Sequence, residues 1–310
     1  MGRGASDLLT ALSQRVLVGD GAMGTELQRA GLEPGGCGEL WNLAHPDHVL
    51  AIQSAYVDAG SDCVTTNTFG ASRVMLQRHG LEDQVEPINR AAVRVAREAL
   101  RDRAGFVLGD IGPLGGLLEP YGDLSVARAS DAFREQAALL VAAGVDAIII
   151  ETQTSLEELG IAITAAREAG APCVIGSVAF DLTHDGNDMR TMMGTDPEAA
   201  ARFMADSGAD VLGANCGAGI NMAAAAVVLR RFRNVSPLPT MAQPNAGRPE
   251  LENFRAVYKE SPQDMALGLR DVLDAGARVV GGCCGTTPDH IRRFRAIVNE
   301  WNAGQRTNIR

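Results

Sequence analysis

The chain has 310 residues, a formal net charge of −10 and no cluster of Lys and Arg, which argues against binding to nucleic-acid phosphates. Hydrophobic residues make up 46% and charged residues 21%, so a chain of this length can bury a large core without disulfide staples. No apolar run reaches the length of a membrane span, and the N-terminus lacks the basic-then-apolar pattern of a secretory leader. Residues 1–6 fit the loose myristoylation pattern, but no polybasic stretch beside them completes an anchor. The expectation is a cytoplasmic protein with reduced thiols.

In chain order, residues 1–13 read as a short leading helix. Eight short apolar runs follow, at 16–19, 63–66, 106–109, 146–150, 173–179, 211–214, 239–242 and 278–281. Most are rich in Val and Ile, as strands buried on both faces should be. Helical patterns fill the intervals at 47–59, 81–102, 128–143, 155–169, 197–207, 222–232, 262–275 and 288–301. The clearest is 81–102, with Val85, Ile88, Ala92, Val95 and Ala99 on one face. Asp196-Pro197, Ser261-Pro262 and Thr287-Pro288 each place a capping residue before a proline at the first helical position. Segments 181–195 and 247–260 read as long loops.

Strand–helix alternation repeated eight times predicts a parallel α/β fold. Eight units in this length match a single (β/α)8 TIM barrel spanning residues 1–310, with an open doubly wound sheet as the alternative. Chemically unusual residues sit just past the strands: Asp20, the Thr66-Asn67-Thr68-Phe69-Gly70 run, Asp110, Glu151, Asn215-Cys216, Gln243-Pro244-Asn245 and Cys283-Cys284. A barrel gathers all of these at its C-terminal mouth, whereas an open sheet scatters them along an edge.

Gly281-Gly282-Cys283-Cys284-Gly285 is the sharpest signal. Cα atoms joined by a trans peptide are about 3.8 Å apart, shorter than a relaxed disulfide wants. The flanking glycines instead let both sulfurs turn towards one point, which suits tetrahedral zinc. Cys216, also followed by glycine, supplies a third thiolate. Three protein ligands and one open position are the pattern of a catalytic zinc. Three buried core cysteines are the plain alternative. Cys63 and Cys173 read as core, Cys37 is uninformative, and His290 reads as a surface residue in the first turn of the last helix. A sulfur-rich zinc is a weak Lewis acid but can hold a thiol as thiolate, which favours alkyl transfer to sulfur over hydrolysis. The five histidines show no His-Glu-x-x-His spacing.

Asp20-Gly21-Ala22-Met23-Gly24-Thr25, Glu39-Leu40-Trp41-Asn42, Thr66–Gly70, Gly213-Ala214-Asn215-Cys216-Gly217 and the 281–285 motif together resemble the homocysteine S-methyltransferase family. That family includes the homocysteine-binding domain of cobalamin-dependent methionine synthase and betaine–homocysteine methyltransferase. The resemblance covers nearly the whole chain. It implies a (β/α)8 barrel with Zn2+ on Cys216, Cys283 and Cys284, and Asp20 and Glu151 on the homocysteine ammonium group. It further implies that Thr66 and Asn67 meet the amino-acid end and that Asn245 stands near the metal. Internal salt bridges or caps for the two acids, and turn hydrogen bonds for the 66–70 run, are the structural alternatives. The Gly19-Asp20-Gly21-Ala22-Met23-Gly24 run also fits a dinucleotide fingerprint, which Asp20 argues against by facing a pyrophosphate with like charge.

The implied partners are homocysteine and a methyl donor: methylcobalamin, S-methylmethionine, betaine, or a methyl group on a separate corrinoid protein. A relative methylating another thiol and a non-catalytic zinc or thiol protein are the rival readings. Betaine would call for an aromatic cage, for which Trp41, Tyr56, Tyr121 and Tyr258 are the candidates. Outer helices and mouth loops both leave a homo-oligomer open.

Overall fold

The computed structural model describes residues 6–101, 103–217, 220–252 and 255–307. The myristoylation-like hexapeptide lies, apart from Ser6, outside them. Eight parallel strands form one sheet: β1 (Leu17–Val18), β2 (Cys63–Thr65), β3 (Phe106–Ile111), β4 (Ala147–Gln153), β5 (Val174–Val178), β6 (Val211–Asn215), β7 (Thr240–Gln243) and β8 (Ala277–Val280). From β2 to β8 each strand pairs with the next, and β8 returns to β1 with Leu17 opposite Val279. The remaining β1–β2 seam has no regular ladder. It is closed by the Asp62 N–H on the Val18 carbonyl (2.6 Å) and by the Val18 N–H on the Asp62 carboxylate (2.8 Å). Higher up, the Thr65 N–H donates to the Asp20 carboxylate (2.7 Å). The architecture is the single (β/α)8 barrel that the alternation predicts.

Helices follow the strands as expected, from Pro46–Ala59 to Pro288–Thr307. The predicted 262–275 helix divides into Pro262–Leu267 and Leu269–Asp274 at Gly268. A Cβ on Gly268 would lie 2.5 Å from that of Met222, so the chain passes too close to the neighbouring helix for any side chain there. Both long loops contain hairpins, Asp181–Leu182 with Met189–Arg190 and Glu250–Glu252 with Arg255–Val257. Strands of two or three residues leave too little alternation to be read from sequence. No helix of the described residues is long and apolar enough to cross a membrane.

Alternation along the strands decides which side chains enter the lumen. Leu17, Cys63, Leu108, Ile149, Ile175, Val211, Met241 and Val279 cluster there, apart from the larger core between sheet and helices. Leu8 and Leu12 join this inner cluster from the leading helix, Ser6–Gln14, which plugs the lumen at one end. Cys63 and Cys173 lie in the same cluster, as the sequence predicts. Two residues further along β3, β4 and β7, the inward positions hold Asp110, Glu151 and Gln243. The lumen thus turns from apolar at its plugged end to polar at its mouth.

Candidate metal and substrate site

The mouth is built from strand ends that the polar residues made look shorter than they are. The sequence ends β3 at 109 and β4 at 150, but the strands run to Ile111 and Gln153. Asp110 and Glu151 therefore sit on rigid strand backbone, not on loops.

After β6, Cys216 takes φ +49, a left-handed conformation that costs a non-glycine residue about 1–2 kcal/mol. Gly217 follows at φ +81, where a Cβ would meet the Phe180 carbonyl at 2.0 Å. After β8, a Cβ on Gly282 would lie 2.5 Å from Thr286. These turns bring the sulfurs of Cys216, Cys283 and Cys284 within 4.8 Å of one another, with Cys283 and Cys284 3.9 Å apart. Metal–sulfur bonds near 2.3 Å in a tetrahedral site place the sulfurs about 3.8 Å apart, so the vicinal pair already spans one edge. All three thiols are free and partly exposed. The donor set fits a thiophilic ion.

The backbone holds this geometry from several sides. Cys283 N–H donates to Pro244 O (2.9 Å), Ala246 N–H to Cys284 O (2.9 Å) and Cys216 N–H to Gln243 O (3.3 Å). Thr286 Oγ1 donates to Cys283 O (2.7 Å) and accepts from Ala22 N–H (3.0 Å), tying the cysteine turn to the loop after β1. Tyr56 OH donates at the same junction, to Ala22 O (2.8 Å) or Thr286 O (3.1 Å). A Cβ on Gly21 would lie 2.7 Å from both Tyr56 and Thr286, which explains the Asp-Gly pair physically. Hydrogen bonds from Cys216 and Cys283 lower the Cys284 thiol, while its bonds with Cys216 and Cys284 and its burial push Cys283 well above the thiol range.

Three carboxylates face the mouth. Asp20 and Asp110 are buried and Glu151 is half-buried. Burial pushes Asp20 up to about 6, against the hydrogen bonds it accepts from Thr65 N–H and Thr65 Oγ1 (2.9 Å). Burial, then Cys216 and Asp20, pushes Glu151 up to about 8. Burial and the neighbouring Glu151, Glu39 and Asp20 push Asp110 well above the carboxylate range. None of the three forms a salt bridge among the described residues. The internal ion pair considered for Asp20 and Glu151 is not there among the described residues, and without a basic partner the carboxyls hold their protons more tightly than free ones do.

Thr66 and Asn67 are buried, and their side chains are already engaged. Thr66 Oγ1 bonds Thr68 Oγ1 (2.6 Å) and accepts from Asp110 N–H (3.0 Å); Asn67 Nδ2 donates to Gly38 O (2.9 Å). Among the described residues the N–H groups of Asn67 and Phe69 meet no acceptor, so the turn offers backbone donors. Asn245 is buried, donates through Nδ2 to Gly217 O (3.1 Å), and leaves Oδ1 without a donor.

Three residues that the sequence places at the mouth or among the aromatics, but to which it gives no substrate or metal role, stand beside the site. Asp110 and Gln243 face the lumen, each with a buried oxygen that has no donor. Tyr258, from the loop after β7, packs against Gly285, and its phenol contributes to lowering the Cys284 thiol. The four candidate aromatics do not form a cage: Trp41 stacks edge-on with His45 and His48, Tyr56 is buried and Tyr121 is exposed. His290 is not a surface residue. Its ring is buried, with Nδ1 accepting the Thr287 N–H (3.1 Å) and Nε2 on Glu260 O (3.1 Å), because it caps its own helix and pins the end of the 247–260 loop.

Comparison with known proteins meets this site from outside. A family model described as homocysteine S-methyltransferase matches residues 17–298. Methionine synthase of Mycobacterium leprae (strain TN) is 34% identical over 313 aligned positions, covering 96% of this chain and 26% of that protein. Methionine synthase of Mycobacterium tuberculosis (strain ATCC 25618 / H37Rv) is 36% identical, covering 94% and 25%. The chain thus spans about a quarter of the length of these curated relatives. The metallated form of the homocysteine methyltransferase MmuM from Escherichia coli superposes with a TM-score of 0.75 at 25% identity, covering 94% of this chain and 99% of that one. Its oxidised form gives 0.75 at 26%. A family match that begins at β1 and ends inside the last helix, over a mouth where the three motif cysteines meet, makes this chain a member of the homocysteine S-methyltransferase family.

Proposed function

We propose that the chain is a zinc-dependent S-methyltransferase that moves a methyl group to the sulfur of homocysteine, giving methionine. One observation carries the reading: three thiols at metal-binding separation share a mouth with carboxylates that have no basic partner. Cys216, Cys283 and Cys284 hold the Zn2+, and Asn245 Oδ1 is the candidate fourth ligand until substrate arrives. Bound zinc supplies the means to keep an incoming thiol as thiolate at neutral pH. Asp20 and Glu151 receive the substrate ammonium, and the backbone N–H groups of the 66–70 turn, with Thr66 and Asn67 bracing it, receive its carboxylate. The thiol proton leaves on binding. The sulfur then forms its bond to the methyl carbon as the donor–methyl bond breaks, the electron pair leaving with the donor.

A quaternary-ammonium donor is the least supported, since a cage needs several converging aromatic faces and the four candidate aromatics do not form one. Methylcobalamin, S-methylmethionine or a methylated corrinoid protein is the donor class to distinguish. The test is methionine formation from homocysteine by zinc-loaded, reduced protein, each donor offered separately with and without a chelator. Chelator-sensitive methionine from one donor, lost in Cys283→Ser with unchanged circular dichroism, is the expected result. Metal-replete protein that yields no methionine from any donor, and whose metal spectrum ignores homocysteine, would point to another thiol or to a non-catalytic zinc protein.

A further inference from the structure

Asp110 lies two residues beyond the inward-facing Leu108 on β3, and Glu151 two beyond the inward-facing Ile149 on β4. Asp110 pairs in register with Ile149, so the two carboxylates are diagonal neighbours on one face of the sheet. Like charges in that relation repel, and a structural role would require donors to offset them. None is present. Asp110 is 4% exposed, its Oδ1 has no hydrogen-bond partner, and no side-chain bond to Glu151 is formed either among the described residues. The Asp110 backbone, by contrast, is clamped by Thr66 Oγ1 (3.0 Å), Thr68 Oγ1 (2.7 Å) and Gln136 Nε2 (3.3 Å). The carboxylate is held in place but left unsatisfied.

Across the mouth on β7, Gln243 Oε1 is also a buried oxygen without a donor. Asp20 differs, because each of its oxygens already accepts from Thr65. An ammonium group offers three N–H donors and a positive charge. A hydroxyl offers one donor and no charge, and an anion would be repelled. We propose that Asp110 is a substrate-contact residue that receives the ammonium of an amino-acid thiol side by side with Glu151, and so sets the preference for α-amino thiols over thiols lacking the amine. The inference rests on the homocysteine reading above and adds to it the residue that selects the substrate class.

The test uses zinc-loaded full-length protein and two thiols, homocysteine and 4-mercaptobutyrate, which is the same chain without the amine. Calorimetric binding without donor and KM and kcat with donor are compared for wild type, Asp110→Asn and Glu151→Gln. The expected result for Asp110→Asn is a homocysteine Kd and KM raised about tenfold or more, as for loss of a charged hydrogen bond. Its kcat stays within about twofold, its zinc content is unchanged, and its affinity for 4-mercaptobutyrate is equal or better. The ratio of the two affinities is the decisive readout, because a general loss of structure lowers both alike. An unchanged ratio in Asp110→Asn, with a reduced ratio in Glu151→Gln, overturns the proposal while leaving the homocysteine reading intact. Wild type that binds neither thiol overturns both. Asp110→Ser, smaller and uncharged, replaces the amide variant if that one does not fold.

Discussion

Asp20 makes opposite demands on stability and on binding, and Asp20→Asn separates them. The carboxylate is 4% exposed and is pushed from its ordinary 3.8 to about 6 by burial. A carboxyl whose folded value is raised binds its proton more tightly in the folded state. Folding is therefore favoured below the unfolded value and loses that advantage as pH rises through the folded one. Full ionisation costs about 3 kcal/mol of stability above pH 7, and about half of that at pH 5. An asparagine removes the charge and keeps the shape. Its Oδ1 can still accept the Thr65 N–H, and the Thr65 hydroxyl can rotate to accept from the new amide. Exchanging a charged hydrogen bond for a neutral one costs roughly 1 kcal/mol.

The net expectation is a variant about 1–2 kcal/mol more stable than wild type at pH 7.5, with the gain shrinking towards pH 5. Urea melts of both proteins at the two pH values, under identical metal loading, measure it as a difference in which shared effects cancel. Calorimetry should show homocysteine affinity falling about 10- to 100-fold, since a buried ammonium loses a carboxylate partner. A variant that is destabilised at pH 7.5 and binds homocysteine as well as wild type would refute the reasoning. It would make Asp20 a clip across the β1–β2 seam and nothing more.

The other predictions concern the metal, the plug and the motif glycines. Tyr258→Phe removes the phenol that helps to lower the Cys284 thiol, and competition with a chromophoric chelator should show zinc affinity or turnover reduced about 10-fold or more; wild-type affinity and activity would leave Tyr258 only its packing on Gly285. Leu12→Ala empties a 1%-exposed site at the plugged end and should cost about 2–5 kcal/mol in urea unfolding, with kcat unchanged at 25 °C. Gly21→Ala drives a methyl group to 2.7 Å from Tyr56 and Thr286. Because those residues anchor the Cys283 turn, metal content should fall together with stability, as read by metal analysis of the purified variant.

What could be read in advance depended on whether the information was local. Cys283 and Cys284 are adjacent and set among glycines, so sequence alone shows that they avoid each other as a disulfide and can turn to a common point. The eight strand–helix units are equally local, and the (β/α)8 barrel followed from counting them. Asp110 shows the opposite case. A buried carboxylate looks like the end of an apolar strand, so the sequence closes β3 at 109 and loses the alternation that aims Asp110 into the lumen. Glu151 was identified as an acid at a strand end that matches the family, but its place inside β4, diagonal to Asp110, needs the register between two strands. Tyr258 reaches Cys284 through a hairpin loop whose strands are too short to carry a period, and His290 is buried only because Glu260 from that loop comes back to meet it.

Several residues at the mouth break a local rule: charge on a buried strand, amide oxygens without donors at Gln243 and Asn245, and a left-handed cysteine at 216. Each costs stability in the empty protein, and the barrel below them, with its lumen packed from Leu8 to Met241, is what tolerates the cost. The exceptions share one end of the barrel and one chemical deficit. Three thiols stand at metal-binding separation, and among the described residues Asp110 Oδ1 and the amide oxygens of Gln243 and Asn245 meet no donor. In the proposed reading, an amino-acid thiol with its ammonium in the lumen and its sulfur at a metal would meet these needs, so the mouth would be more nearly satisfied with substrate than without it. On that reading the excess charge belongs to the binding function and not to the fold.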